Sequence, residues 1–269
     1  MRLSHWTRPS IYIQYMSDLH LESQGYHFPL RPRAPILLLV GDVGRICDFH
    51  GYSNFIQQCC AAFQTVLLVA GNHEFYGSTY EEGIRLMEVI VDDPTIQGRF
   101  VFLNRTAYDI PHSDATILGC TLHSRIGQET SLLTNDFRRI RQWTVDRHNA
   151  EHAQDIAWLR DQVMSIKKSR RILIATHYAP TFDGTSHPSH RQSGLNQCFA
   201  SNAFEFVTQG LKPSGVTHWV YGHTHWNAQT QRGQTRLMSN QAKNKSDDLS
   251  WWQRQTLYRR FKDNALLVL

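Results

Sequence analysis

Cysteine is scarce. The five residues, Cys47, Cys59, Cys60, Cys120 and Cys198, are odd in number and contain no C-x-x-C pair, which removes the spacing that thiol redox and Cys-rich metal motifs need. Cys59 and Cys60 fall in an expected helix as small buried fillers, and reduced thiols suit a reducing compartment. No apolar stretch approaches the roughly 20 residues required to cross a bilayer, so no membrane partner is expected. Met1 to Ser10 carries two arginines and a proline without an apolar core, which is no secretory signal. A cytoplasmic protein is the expectation. There is no Pro/Ser-rich linker either, so the 269 residues read as a single domain, with 1–9 an extended leader and 241–269 an uncertain C-terminal extension. The formal charge of +5 and a pI near 9.0 suit anionic substrates, yet the basic residues form no long run.

What is abundant is a repeated arrangement. Ile11 to Met16 runs into Ser17-Asp18-Leu19-His20, and Ile36 to Val40 into Gly41-Asp42. Val66 to Ala70 runs into Gly71-Asn72-His73-Glu74, Ile172 to Thr176 into His177, and Val216 to Tyr221 into Gly222-His223-Thr224-His225. Continuous apolar runs bounded by Gly and polar residues read as strands covered on both faces. Polar groups at such strand ends gather on one edge, where α/β proteins place their sites. A glycine at 222 helps the backbone bend so that both imidazoles of His223 and His225 point into one cleft. Tyr52 to Phe63, Ser78 to Val91, Thr144 to Lys168 and Gln197 to Thr208 have helical character, with Ser78 or Thr79 as a cap. The alternation with strands argues for βαβ units.

The ordered set D-x-H, G-D, G-N-H-[DE], a lone His after a strand, and G-H-x-H resembles the calcineurin-like metallophosphoesterases, and its motifs span residues 18 to 225. The resemblance implies a four-layer αββα sandwich, with two central mixed β-sheets flanked by helices and a metal site at the strand ends. It implies two divalent or trivalent metal ions; the mixed N/O set, without thiolate, suits Mn, Fe, Zn or similar ions. By that resemblance Asp18, His20 and His225 would hold one ion, Asn72, His177 and His223 the other, and Asp42 would bridge. A metal-bridging hydroxide would then attack a small or nucleotide-like phosphomonoester or phosphodiester. His73 would protonate the leaving oxygen or donate to the phosphate, with an orienting role as the alternative. Glu74 is expected as a local cap or as an acceptor behind the ligands.

The chain departs from the family's G-D-x-x-D-R pattern. It reads Gly41-Asp42-Val43-Gly44-Arg45-Ile46, so the acid that usually orients the catalytic histidine is replaced by an arginine. Arg45 is a candidate phosphate contact with a solvent-facing alternative, and what orients His73 stays open. His123, which follows a strand, and Arg138, in the Asn135 to Trp143 segment of three arginines and two aromatics, are further substrate candidates. His148 and His152 have i,i+4 spacing but no third ligand, and read as surface or packing histidines. The polar stretch from Tyr178 to Gly194 is the first candidate for substrate selection. Residues 25 to 35, rich in Pro and Arg, read as an extended loop, and 228 to 238 as a β-hairpin around Arg232-Gly233. Trp251-Trp252 and the closing Ala265 to Leu269 are apolar and would add a strand, cover the site or face a partner. The expected partner is a small phosphoester. A metal-binding scaffold without catalysis is one alternative. A nuclease is another, and would want an appended DNA-binding domain or a long basic groove; neither is evident in the sequence, and a nucleic-acid partner is not expected.

Overall fold

The computed structural model describes residues 10–190, 194–209, 215–243 and 258–269; the leader at 1–9 and Trp251-Trp252 lie outside them. Strands β1 (Tyr12–Met16), β2 (Ile36–Val40), β3 (Thr65–Val69) and β4 (Phe100–Phe102) run parallel in that order. A second sheet is built from β5 (Thr106–Asp109), β6 (Ala115–Cys120), β7 (Arg171–Thr176), β8 (Val216–Tyr221), β9 (Gln229–Arg232) and β10 (Thr235–Ser239). Its order is β5-β6-β7-β8-β10-β9, with β5 and β9 antiparallel at the edges and the rest parallel. The C-terminal run becomes β11 (Leu266–Val268), antiparallel to β1 at the rim of the first sheet. The apolar end of the chain therefore adds a strand.

The apolar runs are continuous because each strand is buried on both faces, and side chains alternate between them. In β2, Leu37 and Leu39 pack outward with Tyr52 and Phe55 of α1 (Phe49–Ala62) and Met87 of α2 (Tyr80–Val91), while Leu38 and Val40 face the other sheet. In β7, Leu173 and Ala175 join that inter-sheet core. Ile172 and Ile174 turn instead to the opposite helical layer. Three cores separate four layers, the α/β arrangement in which two mixed sheets lie between helices.

Past α2 the chain forms two short helices, α3 (Gln128–Ser131) and α4 (Asp136–Arg139), then the long α5 (Val145–Ser165). Thr79 and Thr144 cap α2 and α5 by accepting the backbone N–H groups of Glu82 and Arg147. The single helix expected over Gln197 to Thr208 is instead α6 (Asn196–Phe199) and α7 (Ala203–Thr208). Ala200 breaks it by adopting an extended conformation and bridging to Ala179 beside β7. Strand β5 was not expected: a four-residue edge strand alternating between part-buried and exposed positions carries little apolar signal. Among the described residues no helix is long and apolar enough to cross a membrane.

Candidate metal centre

The five motif segments leave the C-terminal ends of β1, β2, β3, β7 and β8, and their backbones are bent sharply. Asp18, His20, Asp42, His223 and His225 all have positive φ, between 49° and 67°. Asp and His tolerate this region better than most residues, but each still costs about 1–3 kcal/mol, and such strain clusters at functional sites. Gly222 has a steric role beside the bend. A Cβ there would stand 2.7 Å from Asp18 Oδ2 and 2.9 Å from the Val40 carbonyl, so the glycine makes room for the carboxylate. At Gly71 a Cβ would meet Asp42 Oδ1 at 2.3 Å, for the same reason.

Among the described residues the side chains form three donor groups: two share Asp42, and a third, His20, Glu22 and His73, shares His20 with the first. Asp18, His20, Asp42 and His225 offer atoms within 4.8 Å of one another, as do Asp42, His177 and His223. Asp42 gives a different oxygen to each: Oδ2 lies 3.7 Å from His20 Nε2, and Oδ1 lies 3.2 Å from His177 Nε2. Asn72 Oδ1 also stands 3.2 Å from His177 Nε2. In the first group His20 Nε2 and His225 Nε2 are 3.2 Å apart, and His225 Nε2 is 3.4 Å from Asp18 Oδ1. These spacings suit donors that each stand about 2.0–2.2 Å from one ion.

The outward ring nitrogens are held in ways that free the inward ones. His177 Nδ1–H donates to the Val40 carbonyl at 2.9 Å, leaving Nε2 to face Asp42 and Asn72. His223 Nε2–H donates to the Cys198 carbonyl at 3.2 Å, which leaves Nδ1 as its free acceptor. A second nitrogen fixed by a carbonyl or carboxylate is the usual support of a metal-binding histidine. Asn72 is oriented likewise: its amide nitrogen donates to Asp136 Oδ1 at 2.8 Å and Tyr76 Oη at 3.0 Å, so its oxygen must point inward. Asp136 also accepts from the Tyr76 and Tyr178 hydroxyls at 2.8 and 3.0 Å. The residues present therefore fit a pair of cations by donor type, spacing and tautomer.

Electrostatics agree with this. Burial pushes Asp42 upward, but the His177 and His73 rings outweigh it and hold its carboxyl well below the usual range. Burial opposes a charge on His177, yet Asp42 and Asp18 raise it to about 10, so a cation bound at Nε2 would displace a proton there. The buried carboxylates thus draw positive charge into the centre. Glu74 sits behind it as an acceptor, taking the N–H groups of Gly71, Asp42 and Val43 at 2.6, 2.9 and 2.8 Å and the Tyr52 hydroxyl at 3.1 Å. Burial and the Asp42 charge push its carboxyl up to about 7.

His73 stands on the wall of a cleft of about 560 Å³ that opens over Asp42, Asn72, His223 and His225. A carboxylate that the family pattern does not supply, Glu22, lies against the His73 ring. Its Oε1 lies 3.0 Å from His73 Nδ1 and 3.6 Å from His20 Nδ1. Burial works against a charged His73, but Asp42 and Glu22 raise it to about 9. The 178–190 loop contributes His187, Ser189 and His190 to the cleft wall, and Leu133, Thr134 and Asn135 close it from the α3–α4 side.

The three substrate candidates are placed elsewhere. Arg45 grips Asp48 through both Nε and Nη2 at 3.1 Å and does not line the cleft. His123 is 1% exposed, enclosed by Tyr80, Trp143, His148 and Tyr178, so a substrate cannot touch it. Arg138 donates to Asn135 Oδ1 at 2.8 Å, and only the preceding turn reaches the cleft. His148 and His152 are packing residues, both buried. Sequence reasoning missed Glu22 and Asp136. The first carried a faint signal, two positions after His20; the second was hidden among the arginines of its segment. The Cys198 carbonyl, a backbone group, had none.

With this geometry in view, the family is settled by comparison: the chain belongs to the calcineurin-like phosphoesterases, whose family model matches residues 16–227. It is 25% identical over 250 residues to an uncharacterised protein of Acanthamoeba polyphaga mimivirus, covering 80% of this chain and 84% of that one. In fold it is similar to the phosphopantetheinyl hydrolase of Mycobacterium tuberculosis, with TM-score 0.64, 15% identity, and coverage of 88% and 91% of the two chains. It also resembles a putative 5'-nucleotidase of Staphylococcus aureus, with TM-score 0.52, 14% identity and 86% of this chain covered, but only 48% of that one.

Proposed function

We propose that the chain is a metal-dependent hydrolase of phosphate esters. The observation that carries the reading is the meeting of two donor groups at Asp42, one carboxylate oxygen turned to each. Asp18, His20 and His225 would hold one cation, and Asn72, His177 and His223 the second. When bound, such a pair neutralises charge on the phosphoryl oxygens and acidifies water enough to make a nucleophile near neutral pH.

The chain's own groups supply the rest. Asp42 and Glu22 raise His73, and with cations on Asp42 the Glu22 carboxylate, 3.0 Å from Nδ1, is the group that would hold a proton on the ring. The ring's other nitrogen is the donor for the leaving oxygen, as general acid catalysis requires. The cleft, closed by Leu133 and by His187 and His190 of the long loop, excludes bulk water from one side of the ester. The test is turnover of p-nitrophenyl phosphate and of its bis-ester by protein stripped with a chelator and reloaded with Mn, Fe or Zn. Turnover that vanishes on stripping and returns on reloading is the expected result. No turnover of either ester with any of the metals would sink the reading.

A further inference from the structure

Three cavities adjoin one another, the first of them over the metal centre. The cleft shares His187 with a second chamber of about 400 Å³, walled by Phe182, Pro188, Trp226 and Thr230. That chamber shares Ala228, Gln229 and Arg259 with a third, of about 360 Å³. The third lies at the seam between the sheets, with Tyr15 and β11 on one side and His218 and Arg236 on the other. No carboxylate is among its described lining residues, whereas Arg236, Arg260 and Lys262 are. These three are exposed and form no ion pair among the described residues.

We propose that this track binds a single-stranded nucleic acid, with one phosphodiester at the metal centre, bases in the middle chamber and following phosphates among Arg236, Arg260 and Lys262. The inference rests on the hydrolase reading and names its substrate class. Cations in the third chamber serve a ligand that carries anions beyond the one at the metal centre. Between those anions the ligand places a planar, largely apolar unit against Phe182 and Trp226. Repeated phosphates alternating with bases meet both demands, and basic grooves interleaved with aromatic residues are how single strands are held without sequence preference. The groove escaped the sequence reading because its cations come from position 236 and from 260–262, on two separate segments.

Two measurements on the metal-loaded full chain separate this inference from the reading beneath it. Turnover of bis-p-nitrophenyl phosphate reports the metal centre. Fluorescence anisotropy with a labelled, phosphorothioate-linked oligothymidylate of about eight nucleotides reports the track. The parent should bind with log K falling against log salt by about 0.7 for each phosphate contact, hence a slope near −2. Arg236→Glu with Lys262→Glu should weaken binding at least tenfold and flatten that slope, with bis-ester turnover unchanged. The same charge change at Lys167→Glu with Lys168→Glu should leave both readings in place. Absence of oligonucleotide binding by the parent, equal weakening in the two double variants, or a preference for phosphatidylserine vesicles over the oligonucleotide would overturn the proposal. Should Arg236→Glu with Lys262→Glu also lose bis-ester turnover, Arg236→Gln with Lys262→Gln replaces it with the same expected weakening. Bis-ester turnover without oligonucleotide binding would overturn this inference alone.

Discussion

Asn72 presents its amide oxygen, not its nitrogen, to the metal centre because Asp136 can only accept hydrogen bonds. Removing that carboxylate frees the amide to flip and takes away the acceptor for the Tyr76 and Tyr178 hydroxyl protons. Asp136→Ala is therefore expected to weaken metal binding about 10- to 100-fold, read by titration calorimetry. Combining Asp136→Asn with Asn72→Asp reverses the donor and acceptor and should recover part of the loss; no recovery would reduce Asp136 to a packing role. For His73 the expectation is different. His73→Ala should keep its metals, because the ring belongs to neither of the two groups that share Asp42, and lose about 10²- to 10⁴-fold in kcat. Full activity in that variant would remove the residue from the mechanism. At this scale the two donor groups were legible, since each member sits at the end of an apolar run in a recognisable motif. Glu22 and Asp136 were not, because they act on partners 51 and 64 positions away through single hydrogen bonds.

Helix α5 carries His148 and His152 on its buried face, where Trp143 Nε1–H donates to His148 Nδ1 at 3.3 Å and His152 Nδ1–H donates to the Leu122 carbonyl at 2.9 Å. Burial lowers His148 to about 4 and lowers His152 and the neighbouring His123 as well. A histidine whose folded value is depressed stabilises the fold fully above its unfolded value of about 6.5, and that contribution is lost as pH falls toward the folded value. Metal-stripped protein should thus lose stability between pH 6.5 and 4, and His148→Gln should reduce the loss by up to about 1.4 kcal/mol per pH unit. Urea midpoints at several pH values check this; identical slopes for parent and variant would show that His148 does not titrate with unfolding. The long helix was legible from its apolar spacing, though it stops at Ser165, where Ile166 turns extended. The break at Ala200 was not, because the bridge to Ala179 that imposes it is a contact between segments.

Across the whole molecule, two sheets deliver their strand ends to one edge, and the first of the three cavities lies there. The four layers follow from the alternating burial of strands that read as uniformly apolar. The basic seam and the cleft walls do not follow from any one stretch, because each is assembled from segments far apart in the chain. The account stands on two cations sharing Asp42. Anomalous diffraction from crystals of the metal-loaded protein measures that directly. Two peaks flanking Asp42 are predicted, one among Asp18, His20 and His225 and the other among Asn72, His177 and His223. No peak in either group, or a single ion that leaves one group without metal at saturating concentration, would contradict it.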